Sequence, residues 1–81
     1  MVNSLRMAEK LVKSGQTDAT EIKRNMRDTI EAEPLARIDY IAIVDADTLT
    51  DLDTVKERTL IAIAIFIGKT RLIDNVILDR Q

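Results

Sequence analysis

The sequence predicts an α+β domain in which two amino-terminal helices pack on a small three-stranded, antiparallel sheet. Three observations carry this. Apolar residues recur at spacings of three and four through the first third of the chain, and the period falls to two after Pro34. Then comes an uncharged run, Thr59 to Ile67, separated from a second β-branched stretch only by Gly68-Lys69-Thr70.

The first helix is expected from Asn3 to Ser14, where Leu5, Ala8, Leu11 and Val12 form one stripe. Asn3 or Ser4 can cap its start. Gly15 stops it where a left-handed backbone suits glycine, and Lys13 lies in the last turn against the helix dipole. A second helix follows from Asp18, whose carboxylate can accept free backbone N–H groups while Glu21 reaches back to complete a capping box. Ile22, Met26 and Ile30 line one side, and Lys23, Arg24, Arg27, Asp28 and Glu31 cover the other. Pro34 ends it, because the residue before a proline is pushed out of the helical region. The two helices are expected to run antiparallel.

Ala36 to Asp45 alternates as a strand, with Ile38, Tyr40, Ala42 and Val44 on one face and Asp39, Ile41, Ile43 and Asp45 on the other. Its centre is apolar on both faces and its ends are charged on one, the mark of a partly covered strand. Ala46 to Arg58 reads as a polar loop holding at most one helical turn, anchored by Leu49, Leu52 and Val55. Thr59 to Ile67 is far shorter than the roughly 20 residues of a membrane span, so it is expected as a strand covered on both faces. Ile61, Ile63, Ile65 and Ile67 suit a bulky core; Leu60, Ala62, Ala64 and Phe66 form the opposite face, and the two alanines leave room for close approach. With the helices on one side, that second face is expected to meet either an absent domain or a second copy.

Composition narrows the chemistry. A chain of 81 residues makes one domain with a thin stability margin, since so small a domain buries only about 60 to 65% of its unfolded surface. One Phe, one Tyr and no Trp leave little for stacking on bases, and a net charge of -2 gives no basic footprint for nucleic acid or an anionic membrane. The absence of Cys and His removes disulfides, thiolate sites, and most nucleophile–base pairs and zinc sites. Arg6 and Lys10 interrupt the amino terminus before any apolar stretch of secretory length, so the chain is read as cytoplasmic.

Each motif with chemical promise has a plainer reading. Gly68-Lys69-Thr70 ends like a phosphate-binding loop, but Ile63 stands where the first glycine is needed and a strand fills the interval, which favours a hairpin turn. Asp45-Ala46-Asp47 opens like a calcium loop, yet Leu49, Thr50 and Lys56 occupy positions that need an oxygen ligand, a glycine and a glutamate. Asp74 could serve as a general base, but it has no evident second player, and Arg71 is expected on the opposite side of the strand. The Leu5, Leu11, Ile22 and Met26 stripes read as core rather than as a partner groove.

Ile38-Asp39-Tyr40, Ile43-Val44-Asp45 with Thr48-Leu49, and above all Gly68-Lys69-Thr70-Arg71-Leu72-Ile73-Asp74-Asn75 resemble the carboxyl-terminal domain of the pantothenate synthetase family, the pantoate-β-alanine ligases. Ser4-Leu5, Ala8 and Gly15 fit the same alignment, so the resemblance covers nearly the whole chain. It implies an enzyme that adenylates pantoate with ATP and Mg²⁺ and passes the pantoyl group to β-alanine. In that family a larger amino-terminal domain, with paired histidines, binds the nucleotide, and the small domain forms a lid over it. This sequence contains no His, no such domain and no Ser-Ser-Arg-Asn loop. The resemblance therefore places no catalytic, cofactor-binding or metal-ligating residue here. Asp39, Tyr40, Asp45, Gly68, Arg71, Asp74 and Asn75 match its fingerprint and are expected to be architectural. The implied reading is a lid domain, silent when isolated, whose partner is the nucleotide-binding domain; the alternative is a stand-alone interaction or dimerisation module.

Overall fold

A computed structural model describes residues 2–79, with side chains placed from Ser4 onward. Helix α1 (Val2–Lys13) and helix α2 (Ala19–Glu31) precede strands β1 (Ala36–Asp45), β2 (Arg58–Ile67) and β3 (Thr70–Asp79). The strands form one antiparallel sheet in the order β1-β2-β3, with both helices on one face. Among the described residues no helix is long and apolar enough to cross a membrane.

The helix boundaries follow local chemistry. Asn3 and Ser4 lie inside α1 rather than capping it, and Ser4 is fully buried. At the other end Gly15 has a φ of 105°, its N–H donates to the Val12 carbonyl and the Gln16 N–H donates to the Leu11 carbonyl. That crossed pair closes the helix in the way a glycine permits. Asp18 caps α2 as expected, accepting from the Thr20 N–H at 2.9 Å and the Glu21 N–H at 3.4 Å. The capping box is not completed. Glu21 pairs with Arg24 one turn on, and the Asp18 N–H goes to the Gln16 side chain. Thr29 near the end of α2 donates to the Met7 sulfur in α1, as befits helices running in opposite directions.

Ile22 and Met26 of α2 are fully buried against Leu5, Ala8 and Val12 of α1 and against Ile61 and Ile63 of β2. Of the three expected loop anchors, Leu52 and Val55 are buried, but Leu49 is 66% exposed. The segment between β1 and β2 holds one α-turn, in which the Leu49 N–H donates to the Asp45 carbonyl at 2.8 Å, and no helix. It is pinned further by two isolated bridges, Asp18 with Thr54 and Val44 with Asp51.

Two expectations about faces are corrected. In β1 a bulge at Asp39 sets Ile38 opposite Ile65 and Tyr40 opposite Ala64. The extra residue inverts the alternation, so Ile38 joins Ile41 and Ile43 on the helix face while Tyr40, Ala42 and Val44 stay on the other. And β2 is covered on one face only: Ile61, Ile63 and Ile65 are buried, whereas Leu60, Ala62 and Phe66 on the opposite face keep part of their surface exposed.

Candidate functional site

The open face of the sheet is the surface on which the fold gathers exposed apolar side chains. Strand pairing arranges it in rows. Val44, Leu60 and Ile77 form one; Ala42, Ala62 and Asn75 the next; Tyr40, Ala64 and Ile73 a third. Among the described residues five large hydrophobic side chains stand exposed, and three of them, Tyr40 at 40%, Ile73 at 58% and Ile77 at 50%, lie here. Ala64, in contrast, has no exposed surface, because the larger Tyr40 and Ile73 flank it on both sides. Of the two alanines expected to be open, only Ala62 is.

A charged row closes each end of this apolar window. Towards the β2–β3 hairpin, Arg71 of β3 reaches across Phe66 to Asp39 at the bulge, with Nη2 and Nε at 2.9 and 3.2 Å from Oδ2. Arg37 lies over the Phe66 ring at 4.9 Å, a cation–π contact. At the far end Arg58 holds two carboxylates, Asp47 at 2.7 Å and Asp79 at 3.2 Å. Sequence periodicity missed both rows. Their signal is long-range, since Arg71 and Asp39 stand 32 residues apart and Arg58 and Asp79 stand 21 apart.

The fingerprint residues divide between this face and other places. Asp39, Tyr40, Arg71 and Asn75 come together on it. Asp74 projects to the helix face opposite Ile63, and its carboxylate accepts the Asn75 N–H at 2.8 Å. Arg71 and Asp74 thus face opposite sides, as expected. Gly68 has a φ of 60° and opens the two-residue hairpin between Ile67 and Thr70, the type II′ pattern that requires glycine at its first position. Asp45 ends β1, where one carboxylate oxygen accepts from the Asp47 N–H at 2.8 Å and the Thr48 N–H at 3.1 Å. These bonds, the Asp47 one first, hold its pKa below the ordinary value of 3.8.

Around Gly68-Lys69 the backbone is a hairpin whose Gly68 N–H is directed to the Leu35 carbonyl, so it does not form a cradle of free amides for a phosphate. Among the described residues no three carboxylates or other metal-ligating groups converge. Asp39, the carboxylate nearest Tyr40 in the sequence, is engaged by Arg71.

A family model described as pantoate-beta-alanine ligase matches residues 1–77. A pantothenate synthetase of Acetivibrio thermocellus is 50% identical over 76 residues, covering 94% of this chain and 27% of the relative. Another, of Clostridium botulinum, is 54% identical over 72 residues, covering 89% and 26%. Among solved structures, the pantothenate synthetase of Thermus thermophilus superposes with a TM-score of 0.83 at 28% identity, over 93% of this chain and 27% of that one. The chain spans about a quarter of the length of the relatives it matches.

Proposed function

Because this chain belongs to the pantoate-beta-alanine ligase family, we propose that it is the small carboxyl-terminal lid domain of a cytoplasmic ligase that condenses pantoate with β-alanine through a pantoyl-adenylate, cleaving ATP to AMP. The observation that carries the reading is the family match across residues 1–77 set beside a coverage of about a quarter of each relative. The remaining length of those relatives leaves room for a larger nucleotide-binding domain as this chain's partner.

ATP and Mg²⁺ do not fit the residues present here. The glycine turn is a paired hairpin and no set of metal ligands converges among the described residues, so both are assigned to the larger domain. What this chain contributes is a rigid two-layer cover. Closing such a cover over a reacting centre excludes water that would hydrolyse an activated acyl group and fixes the reactants in position. The fingerprint residues serve that rigidity: Arg71 and Asp39 tie the outer strands together, Gly68 turns the hairpin, and Asp45 organises the turn after β1.

The test is AMP formation from ATP, pantoate and β-alanine by the isolated chain. No AMP above background is expected, and turnover by the chain alone would overturn the reading. One observation favours a second reading, a stand-alone interaction module: the apolar face that the helices leave open.

A further inference from the structure

We propose that Leu49 is the latch of the lid, an apolar knob at the domain's free end that seats, on closure, in an apolar socket rimmed by Lys or Arg on the larger domain. This role rests on the lid reading above and names the contact that holds the lid shut.

An isolated exposed leucine is ordinary, because folded surfaces keep much apolar area. Leu49 differs in its backbone. Its φ of 60° is the one positive value among the described non-glycine residues, in a region that branched L side chains avoid. Local bonds hold it there. The Leu49 N–H donates to the Asp45 carbonyl at 2.8 Å, and the Asp45 N–H donates to the Thr50 carbonyl at 2.9 Å. The Asp45 carboxylate accepts the Asp47 and Thr48 N–H groups, and the hydroxyls of Thr48 and Thr50, on either side of the leucine, are hydrogen-bonded at 2.8 Å. Just beyond, the Leu52 N–H donates to the Ile43 carbonyl and the Leu52 side chain is buried. The knob is thus fixed in place before a partner arrives, which lowers the entropy cost of docking. Strain that no packing within the chain offsets is the mark of a residue held for a contact outside it.

Position in the fold says which contact this is. The first turn of α1 lies at the hairpin end of the sheet, where Ser4 lines a small cavity with Ala36, Ile65 and Ile67. The helix finishes at the other end, where Val12 and Gly15 line a cleft with Leu78 and Asp79. Strand β1 runs the same way, from Ala36 opposite Ile67 to Asp45 opposite Thr59, and Leu49 follows just past its end. On the lid reading the larger domain joins ahead of α1, so the hinge lies at the hairpin end and Leu49 at the free end of a body 38 Å long. The free end of a hinged cover travels farthest, and a contact there holds closure with the greatest leverage.

Charge describes the socket. From Asp45 to Asp53 the chain carries four aspartates and no basic residue. Asp45 is engaged by backbone N–H groups and Asp47 by Arg58, which leaves Asp51 and Asp53 exposed and, among the described residues, without an ion-pair partner. A leucine flanked by free carboxylates is complementary to an apolar hole with a basic rim, and it is repelled by an acidic surface or an anionic membrane.

The test places this chain in the Acetivibrio thermocellus relative, in exchange for the matching segment, and compares that chimera with its Leu49→Asn, Leu49→Met and Asp51→Lys variants. Without the latch, water reaches the pantoyl-adenylate: it adds to the acyl carbon, the bond from that carbon to the phosphate oxygen breaks, and pantoate and AMP leave with no pantothenate made. The unaltered chimera is expected to release AMP and pantothenate in equal amounts. Leu49→Asn is expected to release AMP in about twofold excess or more and to lower kcat/KM for β-alanine about tenfold. Leu49→Met, which keeps an apolar knob, is expected to stay coupled, and the deficit of Asp51→Lys is expected to shrink as salt is added. In the isolated chain Leu49→Asn is expected to raise Tm, so that lost coupling in a more stable domain does not come from unfolding. An active chimera whose Leu49→Asn form keeps its coupling and its kcat/KM overturns the latch and leaves the lid reading standing. So does uncoupling accompanied by a lower Tm of the isolated Leu49→Asn chain, which would make Leu49 a packing residue. A folded chimera that is inactive with Leu49 in place overturns the lid reading and the latch with it.

Discussion

Arg71 and Asp39 are joined across a strand that separates them. Arg71 stands on β3 and Asp39 in the bulge of β1, with β2 between, and the guanidinium passes Phe66 to reach the carboxylate at 2.9 Å. The bulge makes this geometry. It adds a residue that has no cross-strand partner, and that freed residue is the one the arginine meets.

Removing the clamp is expected to cost little stability, because both side chains are more than a third exposed. Arg71→Met and Asp39→Ala should each destabilise the domain by about 0.2 to 1 kcal/mol, and the double variant should cost less than the sum. Urea denaturation of the four proteins measures the coupling. Strict additivity would mean that the pair contributes nothing.

Leu49 has a φ of 60°, a conformation that disfavours a branched L side chain, and its 66% exposure gives it little packing in return. Leu49→Asn should stabilise the chain by about 0.5 to 1 kcal/mol by relieving that strain. Thermal denaturation reads the change as a rise in Tm of a few degrees. A fall would show that Leu49 packs against something in solution.

Asp45 gives a pH dependence of known sign. Its folded-state pKa lies below the ordinary 3.8, because its charged form accepts the Asp47 and Thr48 N–H groups. The stability it contributes is therefore fully present above 3.8 and is lost as pH falls through the lower folded value. The wild-type chain should be more stable than Asp45→Asn by a constant margin near neutral pH, and the margin should shrink below 3.8. Urea midpoints measured from pH 7 downwards check this; a gap that widens on acidification contradicts it.

Local signals were legible in the sequence and long-range ones were not. Gly15 and Asp18 act through bonds within five residues of themselves, and both stand where they were expected. The capping box failed because Arg24, one turn further along, offered Glu21 a charged partner in place of a backbone amide. The bulge was invisible since Ile38-Asp39-Tyr40 alternates perfectly by itself; only pairing with β2 reveals that Asp39 is supernumerary. The same limit hid the charged rows. Gly68 and the alternating Ile61, Ile63 and Ile65 of β2 are local signals, so the hairpin and the buried face are legible in the sequence, while what covers the open face is not.

The central claim is tested most directly by exchange. Replacing the matching segment of the Acetivibrio thermocellus relative, 50% identical over 76 residues, with this chain gives a chimera whose larger part comes from the relative. The account predicts that the chimera forms AMP and pantothenate from ATP, pantoate and β-alanine, and that the relative lacking the segment does not. A folded chimera with no turnover would contradict it.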